Sequence, residues 1–176
     1  THLLGPSLDI HGGGRDLIFP HHENEIAQSE GTYGVEFVKY WVHNGFVTVG
    51  GEKMSKSLGN FLTIRELLKD VHTEVLRMLL LTHHYRSPID FSRDSIQAAS
   101  QGLVRFYEML DRVASATVPS ATPRLVSLVQ SFEKDFDEAM SDDFNTARAV
   151  ARLHEFTTDV NRALDDSPGV SAEDKS

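Results

Sequence analysis

The sequence predicts an α/β region of about 60 residues followed by an α-helical region. Segments rich in Val, Phe, Tyr and Trp, interrupted by Gly and Asn, lie within the first 49 residues and are typical of strands. From Thr63 onward, apolar residues recur at steps of three and four, which is the period of an amphipathic helix. Hydrophobic residues make up 40% and charged residues 24% of the 176 residues, as in ordinary globular proteins, which excludes wholesale disorder.

The α/β region is expected to begin with a strand and a helix. Ser7–Ile10 is predicted as a short strand, and the glycines Gly12–Gly14 are expected to break the chain sharply after it. His21–Glu30 lacks helix breakers and follows Pro20, a residue favoured near the first helical position. These features predict a helix directly after the glycine triplet.

Two more strands are predicted before the helical region begins. Phe37–Val49 is rich in β-branched and aromatic residues and is interrupted at Asn44-Gly45, which indicates strand, turn, strand. Gly50 opens a polar loop that is expected to continue to Asn60. Together with the helix between them, these strands predict an α/β arrangement for about the first 60 residues.

The helical region is predicted to hold two short and three long helices. Ser92 is a plausible N-cap for the first long helix. Its apolar stripe consists of Ile96, Ala99, Leu103, Phe106, Leu110 and Val113. Thr117–Pro123 contains two prolines and is predicted as a linker, and the last helix is expected to follow Ser141-Asp142-Asp143 and to end near Leu164.

Charge, hydropathy and cysteine content exclude several classes of protein. The formal net charge of −9 argues against nucleic-acid binding through bulk positive charge. No apolar run approaches the roughly 20 residues of a membrane span, and Thr1–Ile10 lacks the features of a signal peptide. The chain has no cysteine, so a metal site within it would depend on His, Asp and Glu. Because it begins at Thr1 rather than Met, we expect a fragment cut at both ends.

Three groups of residues could carry chemistry. His21 and Glu25 are four residues apart, so a helix would place them on one face, where they could fill two positions of a tetrahedral zinc site. Lys53-Met54-Ser55-Lys56-Ser57 lies between glycines and offers ammonium and hydroxyl groups to phosphate oxygens. Gly12–Gly14 would let the backbone approach a ligand closely. Solvent-exposed helix, basic turn and tight turn are the alternative interpretations of these three patterns.

Taken together, these motifs resemble class I cysteinyl-tRNA synthetases. The matching segments are DIHGGGRDLIFPHHENEIAQSEG at Asp9–Gly31, WVHNGFVTVGGEKMSKSLGNF at Trp41–Phe61 and FDEAMSDDFNTARAVARLHEF at Phe136–Phe156. The KMSKS pentapeptide is typical of class I synthetases in general, whereas the FPHHENE segment with its glycine triplet is particular to the cysteine branch. The resemblance implies the second half of a class I Rossmann-type catalytic domain followed by an α-helical bundle region.

The resemblance also implies roles for individual residues. His21 and Glu25 would be zinc ligands, completed by two cysteines outside this chain, and the zinc would bind the substrate thiolate. His11 and His22 would line the amino-acid pocket. Lys56 would contact ATP and act in catalysis. Its catalytic partners would be Lys53, Ser55 and Ser57. The residues expected to bind ATP besides Lys56 are Gly12, Gly13, Gly14, His43 and Gly45.

The implied function is ATP-dependent activation of L-cysteine and its transfer to tRNA(Cys) by a cytoplasmic monomer without a membrane segment. The expected domains are the end of the catalytic domain with the KMSKS loop (1–62), a stem-contact region (63–116) and the start of a helical tRNA-binding domain (117–176). This chain alone is expected to be inactive. Two alternatives stay open: a cysteine ligase of mycothiol biosynthesis, and a catalytically silent synthetase paralogue that acts as a binding module.

Overall fold

The computed structural model describes residues 2–54, 63–116 and 122–166, which fall into two compact units. The α/β unit comprises Thr1–Phe61 and Tyr85–Asp90, and the helical unit comprises Leu62–His84 and Phe91–Ser176. Within the described ranges, none of the helices combines the length and the hydropathy that a membrane crossing requires.

A parallel pair of strands forms the first sheet of the α/β unit. β1 (Leu8–Gly14) pairs with β2 (Val38–Asn44), in a register that runs from Leu8 opposite Val38 to Gly14 opposite Asn44. The predicted break at Gly12–Gly14 is therefore wrong, because the three glycines continue β1. A Cβ at Gly12 would lie 3.2 Å from the Val42 carbonyl oxygen, so the missing side chain permits close strand pairing rather than a turn.

A helical crossover connects β1 to β2. The chain passes through a short 3₁₀ turn (Arg15–Leu17) and a wider turn (Ile18–His22) into α1 (Glu23–Tyr33). Gly34 ends the helix in the left-handed conformation, and its amide donates to the Glu30 carbonyl. The helix predicted after the glycine triplet is confirmed, although its regular part begins at Glu23 rather than His21.

A second, three-stranded sheet has the order β4-β3-β5. β3 (Val47–Val49) pairs antiparallel with β4 (Glu52–Lys53) and parallel with β5 (Ile89–Asp90). Gly50 and Gly51 have φ values of 62° and 82°, and they form the tight turn between β3 and β4. The two strands predicted within Phe37–Val49 are confirmed, but they belong to different sheets.

The described part of the helical unit contains five helices. They are α2 (Ile64–Leu67), α3 (Thr73–Leu81), α4 (Arg93–Ser115), α5 (Pro123–Ser141) and α6 (Thr146–Asp165). The predicted N-cap is confirmed, because the Ser92 hydroxyl accepts a hydrogen bond from the Ser95 amide. Thr122 caps α5 in the same way, by accepting from the Leu125 amide. Most of the predicted linker, residues 117–121, lies outside the described residues.

Two clusters of hydrophobic side chains form the core of the helical unit. The first centres on Leu79 of α3, which is 1% exposed and packs with Ala99 of α4. The second centres on Met109 of α4, which packs with Val160 and Leu164 of α6. The apolar stripes that predict the helices thus contribute residues to both clusters, which are buried where α4 meets α3 and α6.

Candidate functional site

The sheet of β1 and β2 gathers aromatic and imidazole rings on one face. Its register places His11 opposite Trp41 and Gly13 opposite His43. Because alternate residues of a strand share a face, Trp41 and His43 lie side by side, with their rings stacked at an interplanar angle of 4°. The His11 and Trp41 ring centroids are 4.9 Å apart. Three rings from two strands therefore form one cluster.

His22 joins this cluster from the turn before α1. Its ring centroid lies 4.9 Å from both His11 and Trp41, and its Nδ1 lies 2.8 Å from His43 Nε2, within hydrogen-bond distance. His22 is 5% exposed. A Cβ at Gly13 would lie 3.0 Å from His22 Cε1, so the glycine provides the space that the His22 ring occupies. The cluster therefore depends on a residue without a side chain.

The environment of His43 favours its neutral form. Burial lowers the pKa of His43 below its usual value, and the neighbouring His22, Arg86 and His11 lower it further. A neutral imidazole has one donor and one acceptor nitrogen, and one of each is what the short contact with His22 requires. The pair can therefore hold both rings in a defined orientation without carrying charge.

Glu25 of α1 brings a carboxylate to the same cluster. Its Oε2 lies 3.1 Å from His11 Nε2, an ion-pair distance at which the contact lacks hydrogen-bond geometry, so this buried oxygen accepts no hydrogen bond from the described residues. Ligand atoms of His11, His22 and Glu25 all lie within 4.8 Å of one another. Two imidazoles and an unsatisfied carboxylate oxygen are a donor set that suits a divalent cation such as zinc.

The predicted metal ligand His21 is placed differently from its neighbour. His21 is exposed, whereas His22 is buried, and the group of potential ligands around Glu25 contains His11 and His22 but not His21. The structure thus brings together three of the predicted site residues: Glu25 and the two histidines assigned to the amino-acid pocket. The assignment of His21 as a ligand stays a prediction.

The residues predicted to border ATP have varied surroundings. Gly45 is buried, its amide donates to the Tyr85 carbonyl at 2.7 Å, and a Cβ there would overlap the Ser87 carbonyl oxygen. A Cβ at Gly14 would lie 2.5 Å from Asp16 Oδ1. Lys53 belongs to β4. The predicted catalytic residues Ser55, Lys56 and Ser57 lie outside the described residues.

Trp41 was not identified as a site residue by the sequence analysis. Its ring lies near His11, His22, His43 and Phe37. The signal was present in the period-two spacing of Trp41 and His43 in a predicted strand, since such residues face the same side. Nothing in the spacing indicates that His22 would pack onto that side.

Comparison with protein families gives two matches along the chain. Residues 1–101 match the family described as tRNA synthetases class I (C) catalytic domain. Residues 135–176 match the DALR domain. The first match includes every residue of the cluster, and the second begins within α5.

Curated relatives with similar sequences are named cysteine–tRNA ligases. The protein of Syntrophotalea carbinolica is 57% identical over 163 residues, covering 92% of this chain and 34% of the relative. That of Trichlorobacter lovleyi is 51% identical over 178 residues, covering 97% and 37%. That of Thermococcus gammatolerans is 50% identical over 169 residues, covering 92% and 36%. The chain thus spans about a third of the length of these relatives.

Solved structures show the same fold at much lower sequence identity. The LeuRS of Agrobacterium radiobacter K84, in a ternary complex with tRNA and LeuAMS, has a TM-score of 0.66 at 21% identity, covering 90% of this chain and 23% of that one. The methionyl-tRNA synthetase of Mycobacterium tuberculosis, in complex with methionyl-adenylate, has a TM-score of 0.66 at 20% identity, covering 89% and 34%. Together with the match over residues 1–101, these findings show that the chain belongs to the class I (C) tRNA synthetase family.

Proposed function

We propose that the complete protein containing this chain is a cysteine–tRNA ligase, which activates L-cysteine with ATP and transfers it to tRNA(Cys). Identities of 50–57% with curated cysteine–tRNA ligases, over more than nine-tenths of this chain, support the proposal. The observation that carries it is the cluster of His11, His22, His43 and Trp41 beside the unsatisfied Glu25 oxygen. Such a cluster can orient a small polar substrate next to a cation.

The proposed cofactor is zinc, and the Glu25 carboxylate at the cluster fits it. The buried Glu25 Oε2 accepts no hydrogen bond of adequate geometry from the described residues, and a cation would satisfy it. Glu25 and His21 would hold the metal together with two cysteines outside this chain. His11 would then support Glu25 from a distance of 3.1 Å. Zinc bound there would favour a sulfur ligand, which separates cysteine from serine.

The proposed activation step joins cysteine to AMP. A carboxylate oxygen of cysteine attacks the α-phosphorus of ATP, and pyrophosphate leaves with the electron pair of the broken P–O bond. Negative charge grows on the pyrophosphate as this bond breaks, and the Lys56 ammonium would meet that charge. Lys53, Ser55 and Ser57 would add donors, and Gly12, Gly13, Gly14, His43 and Gly45 would border the nucleotide. A contact made mainly in the transition state raises the rate rather than the affinity.

The proposal also assigns a domain organisation, an oligomeric state and a cellular location. Residues 1–62 would form the end of the catalytic domain, residues 63–116 the stem-contact region and residues 117–176 the start of the helical tRNA-binding domain. We propose that the complete enzyme acts as a cytoplasmic monomer, and that the 176-residue chain alone is inactive because it spans about a third of its relatives' length.

The proposal is tested by cysteine-dependent exchange of pyrophosphate into ATP, followed by transfer of cysteine to tRNA. The complete protein should catalyse both, and transfer to an amino sugar in place of tRNA would contradict the proposal. Lys56→Ala should slow adenylate formation about a hundredfold, by analogy with removal of a single transition-state donor, and should leave cysteine affinity nearly unchanged. Lys134→Ala is the control, since Lys134 lies on α5 with its side chain 76% exposed and should not affect the rate.

Zinc content of purified variants tests the proposed ligands. Glu25→Gln and His21→Ala should abolish stoichiometric zinc in the complete protein, because each would remove a direct ligand. His11→Ala should weaken zinc affinity only about 10- to 100-fold, as expected for a residue that supports a ligand. Glu23→Gln, at an exposed position of α1, is the control that should retain zinc. Full zinc retention by His21→Ala, with loss in His11→Ala, would instead make His11 the ligand.

A further inference from the structure

Asp90, the last residue of β5, holds the turn between β3 and β4. Its Oδ1 accepts hydrogen bonds from the Gly51 amide at 3.0 Å and from the Thr48 hydroxyl at 2.9 Å. Thr48 is also the residue that pairs with Asp90 in the parallel register of β3 and β5. One carboxylate oxygen therefore connects a strand with the turn that follows it.

The backbone conformation of this turn depends on hydrogen bonds from residues outside it. Gly50 and Gly51 both have positive φ, so the turn depends on flexible residues with many alternative conformations. β4 is only two residues long, and its pairing with β3 provides little hydrogen bonding of its own. After the turn, the Met54 amide donates to the Val47 carbonyl at 3.0 Å. The Gly51–Asp90 bond thus fixes the hairpin at the end opposite Met54.

Asp90 is itself firmly placed. The segment before it is joined to the two residues between β2 and β3 by two backbone hydrogen bonds, from the Gly45 amide to the Tyr85 carbonyl at 2.7 Å and from the Ile89 amide to the Phe46 carbonyl at 2.9 Å. The Gly51 amide, and after it the Thr48 hydroxyl, holds the pKa of Asp90 below its usual value. The carboxylate is therefore ionised at neutral pH, where hydrogen bonds to it are stronger than those to a neutral acceptor.

We propose that Asp90 is a positioning residue for the adenylation step, acting through the hairpin from which the basic segment starts at Lys53. This inference rests on the proposed function, which assigns adenylation to that segment. Asp90 would touch neither ATP nor cysteine. It would set the direction of the β4 backbone up to Lys53, and a misplacement of about 1 Å can cost up to a hundredfold in rate.

Kinetics of the complete protein test the proposal. Asp90→Ala should lower kcat of cysteine-dependent pyrophosphate exchange about tenfold or more, while KM for cysteine stays unchanged. Asp90→Asn should recover part of the rate, because its amide oxygen can still accept from Gly51. The control is Asp9→Asn, a carboxylate that is 83% exposed and paired with Lys39. An unchanged kcat in Asp90→Ala would overturn the proposal, as would equal losses in Asp90→Ala and Asp9→Asn.

Hydrogen–deuterium exchange provides a readout that needs no activity. In Asp90→Ala the Gly51 amide should exchange about tenfold faster, since it loses a charged acceptor, and Thr48→Val should cause a smaller increase. Unchanged Gly51 exchange would overturn the anchoring role. If the wild-type protein shows no cysteine-dependent pyrophosphate exchange, the proposed function fails, and the Gly51 measurement still decides whether Asp90 holds the hairpin.

Discussion

The helical unit and the α/β unit achieve defined structure by different physical means. Among the described residues, the buried hydrophobic side chains of the α/β unit are Phe37 and Val38, whereas those of the helical unit extend over α3 to α6. In the α/β unit, by contrast, Ile10 and Tyr40 of the paired strands are 61% and 68% exposed. Burial of apolar surface stabilises the helical unit. Close glycine contacts and polar bonds define the α/β unit.

The comparison shows where the chemistry can reside. A close-packed hydrophobic interior offers no donors or acceptors, whereas the α/β unit keeps four rings and a carboxylate within contact distance. The geometry of the α/β unit therefore depends on a few close contacts, such as the space that Gly13 leaves for the His22 ring. Substitutions should therefore act on stability in the helical unit mainly through lost burial, and in the α/β unit mainly through overlap.

The largest effect on stability is expected from a cavity in the helical unit. Leu79→Ala should lower the free energy of unfolding by about 3 kcal/mol, since Leu79 is almost fully buried between α3 and α4. Leu80→Ala removes the same atoms from a residue that is 41% exposed and should cost less than about 1 kcal/mol. Urea denaturation followed by far-UV circular dichroism measures both. Equal losses would contradict the placement of the core.

In the α/β unit, adding a methyl group is expected to lower the free energy of unfolding more than removing one. Gly45→Ala would place Cβ against the Ser87 carbonyl and should destabilise the unit by about 1–3 kcal/mol. Gly31→Ala is the matched control, because its Cβ would meet open space on α1. It should stabilise the protein by about 0.5–1 kcal/mol through helix propensity. Fluorescence of Trp41, the single tryptophan of the chain, reports this unit during urea denaturation.

The smallest expected effect is a loss of folding stability at acid pH. The pKa of Asp9 is lowered by its hydrogen bond with Lys39, and that of Asp90 chiefly by the Gly51 amide. A carboxyl with a lowered pKa in the folded state stabilises that state above its unfolded value, here 3.8. This contribution should be lost as the pH falls from near that value through the lower, folded pKa.

In the helical unit, Glu66 is a carboxyl whose pKa is lowered in the same way. The Thr63 amide lowers its pKa from 4.5, so its contribution should begin to fall at a slightly higher pH. Replacing Asp9 and Asp90 by Asn should flatten the acid dependence of unfolding reported by Trp41 fluorescence. Glu66→Gln should leave that dependence intact and change only the transition seen by circular dichroism. The same response from both probes would show that the two units do not unfold separately.

Much of the secondary structure could be predicted because local signals decide it. Ser92 caps α4 as its sequence position indicated, and the stripes at steps of three and four contribute residues to both buried clusters of the helical unit. The glycine triplet Gly12–Gly14 was predicted wrongly as a break. Glycine is compatible both with turns and with close strand pairing, and only the partner strand β2 decides between the two.

The candidate site could be predicted in its residues but not in its arrangement. His11, His22 and Glu25 were all singled out by motif resemblance, yet assigned to two different tasks. The structure places one potential ligand atom from each of the three within 4.8 Å of the others, and it adds the ring of Trp41. These residues come together because β1 pairs with β2 in parallel register and because the turn before α1 places His22 against this sheet. The spacing of residues along the chain reveals neither feature.

By itself, the sequence determined the order of β1, α1, β2, β3 and the later helices, the Ser92 cap and the family, because each of these depends on residue types over short stretches. It did not predict β4, which lies in the stretch expected to be a loop. Only the tertiary structure decided that β2 and β3 belong to different sheets, that Gly13 makes room for a buried imidazole, and that Asp90 reaches back 39 residues to the Gly51 amide. The physical reason is that these contacts join residues far apart in the chain, and their energies exist only once both partners are in place.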